Sequence, residues 1–135
     1  MKPETVVLIP NFNGEHHLRE CLNSLLAQTY KRYKIILIDN GSADGSVNYV
    51  KENFSEVEII KLDKNYGFSF SVNKGIFYSM VNYKPEYIVV LNNDTRVDKG
   101  WLHYLVKSIK SDEKIVSVAS NMLFYDNPSV INSHG

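Results

Sequence analysis

The amino-acid sequence predicts an α/β fold, a mostly parallel sheet flanked by helices, and three observations carry that reading. Short runs rich in β-branched residues alternate with segments whose apolar residues recur at helical spacing, the pattern of successive βαβ units. The longest apolar runs, at 6–10, 35–38 and 87–91, are four or five residues each, the length of buried strands and far below the ~20 that cross a bilayer. The residues directly after each run are polar, and in an open parallel sheet that edge is where ligands bind.

The first strand covers 5–9, and the helix after it places Leu18, Leu22, Leu25 and Leu26 on one face. The second strand covers 34–38. Behind it Gly41-Ser42-Ala43-Asp44-Gly45 forms a turn with a helix N-cap, and Val47, Val50 and Phe54 make the buried stripe of a short helix. The third strand covers 57–62. The next helix begins just past Gly67 and buries a selection of Phe68, Val72, Ile76, Phe77 and Met80, and Pro85 separates it from a fourth strand at 87–91. A helix with Trp101, Leu102, Leu105, Val106 and Ile109 turned inward leads to a fifth strand at 115–119. From Phe124 the pattern dissolves into a turn at Tyr125-Asp126-Asn127-Pro128. No finished element precedes Gly135, so 1–135 reads as one domain whose following part is missing.

Composition removes several classes of function. A chain of 135 residues, 44% hydrophobic and 22% charged, is an ordinary globular domain. Fifteen basic residues balance fifteen acidic ones, so no net field gathers phosphate backbones and nucleic acid is not an expected partner. The single cysteine, Cys21, cannot pair within the chain and reads as core. The N-terminal Met1-Lys2-Pro3-Glu4 lacks the apolar stretch of a secretory signal, so the expected setting is cytoplasmic. His16 and His17 are adjacent and read as surface residues rather than an i, i+4 metal pair; His103 and His134 have no metal partner in the pattern. A serine elbow, a phosphate-binding lysine loop and a Cys-x-x-Cys pair are all missing from the sequence. The first strand leads into Pro10-Asn11-Phe12-Asn13-Gly14, not into the Gly-x-Gly-x-x-Gly cradle of dinucleotide-binding domains.

Chemistry is therefore sought at the strand ends. Asp39 can accept hydrogen bonds from a base or ribose over the sheet edge, and Asp39-Asn40-Gly41-Ser42 is equally a good turn. Asp94 can supply a hard oxygen to Mg²⁺ or Mn²⁺, which takes one or two carboxylates and fills its shell with phosphate oxygens and water; the same tetrad also reads as a polar turn. Gly67 leaves the start of the third helix open to a negatively charged group, whereas Gly75 reads as a site of close packing.

Taken together in order, Ile9-Pro10-Asn11-Phe12-Asn13, Ile38-Asp39-Asn40-Gly41-Ser42-Ala43-Asp44-Gly45-Ser46, Asn65-Tyr66-Gly67-Phe68 and Leu91-Asn92-Asn93-Asp94-Thr95 resemble family 2 glycosyltransferases of the Rossmann-like GT-A fold. The resemblance covers roughly residues 5–125 and is nearest to the rhamnosyltransferase-like branch. It implies that Pro10 and Phe12 border the base of a nucleotide-diphosphate sugar, that Asp39 accepts from the base, and that Asn11 and Asn13 belong to the same donor-binding loop. It implies that Asn65, Gly67 and Asn73 lie along ribose and diphosphate, that Asn93 shares the donor site, and that Asp94 is the metal ligand in the Asp-x-Asp position. Two departures stand out. Asn92 replaces the first aspartate, and Val72 stands where many members carry arginine, so metal would carry more of the diphosphate charge.

The implied reaction is inverting displacement at the anomeric carbon, with a UDP-, dTDP- or GDP-linked donor and a saccharide or lipid-linked acceptor. It needs a general base for the acceptor hydroxyl. In the family that residue comes from a later segment, and Asp98, Asp112, Glu113 and Asp126 offer no convincing substitute. The chain is thus expected to be the donor-binding part of an enzyme whose full length associates with the inner face of the membrane.

Overall fold

The computed structural model describes residues 2–133. Four parallel strands form the main sheet, β1 (Thr5–Asn11), β2 (Tyr33–Asp39), β3 (Glu58–Lys61) and β4 (Tyr87–Val90), in the order β3-β2-β1-β4. The intervening helices are α1 (Glu15–Leu26), α2 (Ser46–Asn53) and α3 (Phe68–Asn82), and α4 (Trp101–Ile109) follows β4. The α/β class and the parallel sheet of the sequence reading are therefore what the chain forms.

Strands β1 and β2 are central, and their side chains alternate between two cores. Val7 and Ile9, with Ile35 and Leu37, face the core built with α1, α2 and Leu102 of α4. Val6 and Leu8, with Ile36 and Ile38, face the second core under α3. The register pairs Asn11 with Asp39, so both side chains continue the face of Ile9 and Leu37. Strand order steps outward from β1 to β3 and then returns to place β4 on the other side of β1. The switch point of the sheet thus lies between β1 and β4, at the carboxyl ends where open α/β sheets bind ligands.

Two expectations are corrected. Residues 115–119 form no strand; they run as an irregular segment with Val116 90% exposed, held against α4 where Trp101 Nε1 donates to Ser120 Oγ at 3.2 Å. The run Ile115-Val116-Ser117-Val118-Ala119 has strand composition, but a strand also needs a ladder partner, and none of the described residues pairs with it. A small antiparallel pair follows instead, β5 (Met122–Leu123) with β6 (Ile131–Ser133), closed by the turn around Pro128.

The second correction concerns α3. Its buried face is Ser71, Gly75 and Ser79, while Phe68, Phe77 and Met80 lie about half or more exposed. A Cβ on Gly75 would stand 2.9 Å from Ile38 Cδ1 and 3.1 Å from Leu8 Cδ1, so the helix rides too low on the sheet for large side chains on that side. Small residues at i, i+4, i+8 make that close approach; of the expected residues Ile76 packs partly buried against the second core, while Phe68, Phe77 and Met80 turn outward. Elsewhere the stripes hold: Leu18, Leu22 and Leu25 in α1, Val47 and Val50 in α2, and Leu102 and Val106 in α4 are buried. Cys21 is buried in the first core and both His16 and His17 are exposed, as read; His134 lies outside the described residues. No helix among the described residues is long and apolar enough to cross a membrane.

Candidate functional site

The site is built on one side-chain amide. Asn11 ends β1 and is 2% exposed. Its Nδ2 donates to Asp39 Oδ1 at 3.1 Å and lies 3.3 Å from Ser42 Oγ, while its Oδ1 accepts from Asn93 Nδ2 at 2.7 Å. One residue therefore ties the tips of β2 and β4 together across the switch point. Asp39 is fully buried; its second oxygen accepts from the backbone amide of Ser42 at 3.1 Å.

The loop after β1 leans on the loop after β2. Asn13, at φ 49°, accepts at Oδ1 from the amide of Ala43 at 2.8 Å and donates its own amide to Ser42 Oγ at 2.9 Å. Asp44 then serves two helices, accepting from the amide of Glu15 at the start of α1 and from the amide and hydroxyl of Ser46 at the start of α2. Burial would raise the Asp44 pKa, but the Ser46 and Glu15 hydrogen bonds outweigh it and hold the carboxyl below its ordinary range.

The loop after β3 is held by Asn40. Its Nδ2 donates to Asn65 Oδ1 at 2.8 Å and to the carbonyl of Gly67 at 3.2 Å, and its Oδ1 accepts from the amide of Tyr66 at 2.9 Å. Asn65 Oδ1 also accepts from the amide of Gly67 at 2.8 Å. Gly67, at φ 85°, opens α3 with space around its Cα, a position that suits a glycine. Gly41, at φ 76°, has the opposite reason for being glycine: a Cβ there would stand 2.5 Å from the Cα of Lys64 and 2.6 Å from its carbonyl carbon.

The predicted residues thus share one rim, in different roles. Asn11, Asn13, Asp39, Asn65 and Asn93 join into hydrogen-bonded loops, while Phe12 is 48% exposed at the rim and Pro10 is half-buried in β1. Asn73 is exposed in the second turn of α3, outside that hydrogen-bonded set. Asp94 is exposed, and no described side chain hydrogen-bonds to it. The sequence reading assigned no role to Asn40, Ser42 or Gly14, although glycine at 14 and 41 and asparagine next to Asp39 were visible signals.

Among the described residues no group of three His, Cys, Asp or Glu side chains could hold a metal by itself. A lone exposed carboxylate on a turn braced from both sides fits an ion shared with a diphosphate, where phosphate oxygens and water complete the shell. The Cys21 thiol lies beneath this turn, 3.8 Å from the carbonyl of Asn92; burial pushes it up to about 12, which keeps it protonated and unreactive. Two surface clefts, one lined by Glu15, His16, Arg19, Asp44 and Tyr49 and the other between α4 and Val118–Ser120 side chains, include neither Asp39 nor Asp94.

The sequence pattern described as Glycosyl transferase family 2 matches residues 6–134. The chain is 29% identical over 131 residues to Glycosyltransferase GlyA of Streptococcus pneumoniae serotype 4, covering 95% of this chain and 18% of that protein. It is 28% identical over 127 residues to poly-beta-1,6-N-acetyl-D-glucosamine synthase of Staphylococcus aureus, covering 92% of this chain and 30% of the relative. Among solved structures, the mannosyltransferase PcManGT from Pyrobaculum calidifontis in complex with GDP-Man and Mn²⁺ shares the fold with a TM-score of 0.73 at 18% identity, over 82% of this chain and 33% of that one. S. aureus TarS 1-349 in complex with UDP-GlcNAc does so with a TM-score of 0.70 at 20% identity, over 82% and 32%. The chain spans less than a third of the length of the curated relatives it matches. With the family pattern running through every strand end of the braced rim, the chain belongs to glycosyl transferase family 2.

Proposed function

We propose that this chain is the donor-binding part of a metal-dependent, inverting glycosyltransferase, which moves a sugar from a nucleoside diphosphate to a hydroxyl of a saccharide or lipid-linked acceptor. The observation that carries the reading is the Asp39–Asn11–Asn93 chain of hydrogen bonds, which holds the exposed carboxylate of Asp94 at the switch point of the sheet. Support comes from the family and from neighbours of the same fold whose structures hold GDP-Man with Mn²⁺ or UDP-GlcNAc.

In this reading the exposed ring of Phe12 lies beside the base, the Asn65–Gly67 backbone follows ribose and diphosphate, and Asp94 meets the ion. A divalent ion, when bound, supplies Lewis-acid stabilisation of the leaving diphosphate. Asp39, buried and accepting one hydrogen bond at each oxygen, fixes the rim and keeps a further lone pair on each oxygen for the base. The motif string supports the rhamnosyltransferase-like branch. The setting is cytoplasmic, with the full-length enzyme at the inner face of the membrane.

A second reading, a nucleotide-binding piece without transfer activity of its own, is favoured by one observation. Asp98 and Asp112 both close their own turns, accepting from the amides of Gly100 and Lys114, and neither belongs to the braced rim. The chain alone therefore binds donor and transfers little.

Calorimetric titration with UDP, dTDP and GDP, with and without Mn²⁺, tests the proposal. At least one nucleotide binds more tightly with Mn²⁺, and Asp94→Ala weakens that binding roughly tenfold, the scale of one lost charge-assisted contact. Equal binding by Asp94→Ala, or none by the wild-type chain, would refute it. Sugar transfer at an ordinary rate by these 135 residues would refute the second reading.

A further inference from the structure

We propose that Gly14 and Asn11 form a positioning device for the Asn92–Thr95 turn, in which the hydrogen bond from Asn93 to Asn11 fills the space where residue 14 would otherwise carry a side chain. The inference rests on the donor-site reading and deepens it by naming residues that reach the donor only through others.

The orientation of the Asn11 amide is dictated from one side. A buried carboxylate only accepts, so Asp39 draws the NH₂ group of Asn11 toward itself and turns the amide oxygen toward β4. Residue 93 must then donate, which Asn93 Nδ2 does at 2.7 Å. The base of the turn is fixed separately, since the Asn92 carbonyl accepts from Thr95 Oγ1 at 2.6 Å. The Asn93 side chain is the tie that sets the turn against β1, and with it the carboxylate of the next residue, Asp94.

Gly14 completes the device. Its backbone, at φ −110° and ψ 23°, is one that alanine adopts without strain, so conformational freedom does not explain the glycine. Space does: a Cβ would run into Asn93 Nδ2 and stand 2.6 Å from Asn11 Oδ1. Residue 14 is small because its neighbours' hydrogen bond lies against it.

Gly14→Ala, Asn93→Ala and the double variant are compared with the wild-type chain in titrations with UDP, dTDP and GDP, each with and without Mn²⁺, and in urea unfolding. Gly14→Ala and Asn93→Ala should each weaken binding in Mn²⁺ about tenfold. The double variant should lose less than about tenfold relative to Asn93→Ala, because the nearer of the two atoms that the added methyl group strikes is gone and only Asn11 Oδ1 remains against it. A general structural defect would instead lower the urea midpoint and add its full effect in both backgrounds. Gly14→Ala binding like wild type, or losing the same factor in both backgrounds, overturns the device and leaves the donor-site reading standing. If Gly14→Ala fails to fold, Asn93→Ala carries the test, and unchanged Mn²⁺-dependent binding overturns the device. A wild-type chain that binds none of the three nucleotides overturns both.

Discussion

Asn40 joins two strand ends with one side chain, using both ends of its amide on the loop after β3. Asn40→Ala removes the acceptor of the Tyr66 amide, so that amide should exchange with solvent about tenfold faster while the amides of α1 keep their rate. Amide-resolved hydrogen exchange reads this directly. The residue types at the rim were legible in the sequence because polar side chains follow apolar runs at each strand end. Their roles were not. Whether Asp39 faces a ligand or the interior depends on two facts that spacing does not contain: β2 continues one residue past its apolar run, and its register sets Asp39 beside Asn11. The carboxylate thus lies beneath the rim, each oxygen accepting one hydrogen bond, and the neighbouring Asn40 reaches the adjacent loop.

Among the elements, α3 shows how far periodicity leads. Its existence and its start at Gly67 follow from the sequence, but of the large apolar residues Ile76 packs on the core while Phe68, Phe77 and Met80 do not, because depth of packing on the sheet decides which residues fit. The stripe Ser71, Gly75, Ser79 is the signal for that depth, with the Ser79 hydroxyl turned back to the Gly75 carbonyl at 2.7 Å. Gly75→Val should therefore cost about 1–3 kcal/mol by overpacking against Ile38 and Leu8, measured as a fall in unfolding free energy in urea. Substitution of outward-facing Phe77, which is 69% exposed, should leave the urea midpoint nearly unchanged. The segment 115–119 fails for a related reason. Its composition suits a strand, yet pairing is a property of neighbours, and among the described residues none offers it a ladder.

Across the whole molecule, the edge of the sheet opposite the rim is pinned by Glu4. Its buried carboxylate meets Arg32 at 2.8 Å, accepts from Tyr30 Oη at 2.8 Å and pairs with Lys110 just past α4, so β1, the approach to β2 and the last helix meet on one charge. The Lys110 hydrogen bond is the largest influence, and with Tyr30 and Arg32 it outweighs burial and holds the Glu4 carboxyl below its ordinary value of 4.5. A carboxyl whose pKa is depressed on folding stabilises the fold above its unfolded value and loses that contribution as the pH falls through the folded one. Glu58, held down by Tyr78 and Tyr83 against its own burial, acts in the same direction. The urea midpoint should therefore be flat near neutrality and fall as the pH drops below about 4.5; Glu4→Gln should lower it at pH 7 and flatten the acid limb. The backbone contact at Gly41 has a consequence for engineering. The turns after β2 and β3 touch main chain to main chain, at a spacing that leaves no room for a methyl group, so neither can change length without displacing the other. A chimera that imports one of them from a relative should misfold locally, and one that imports both as a matched set should keep its shape.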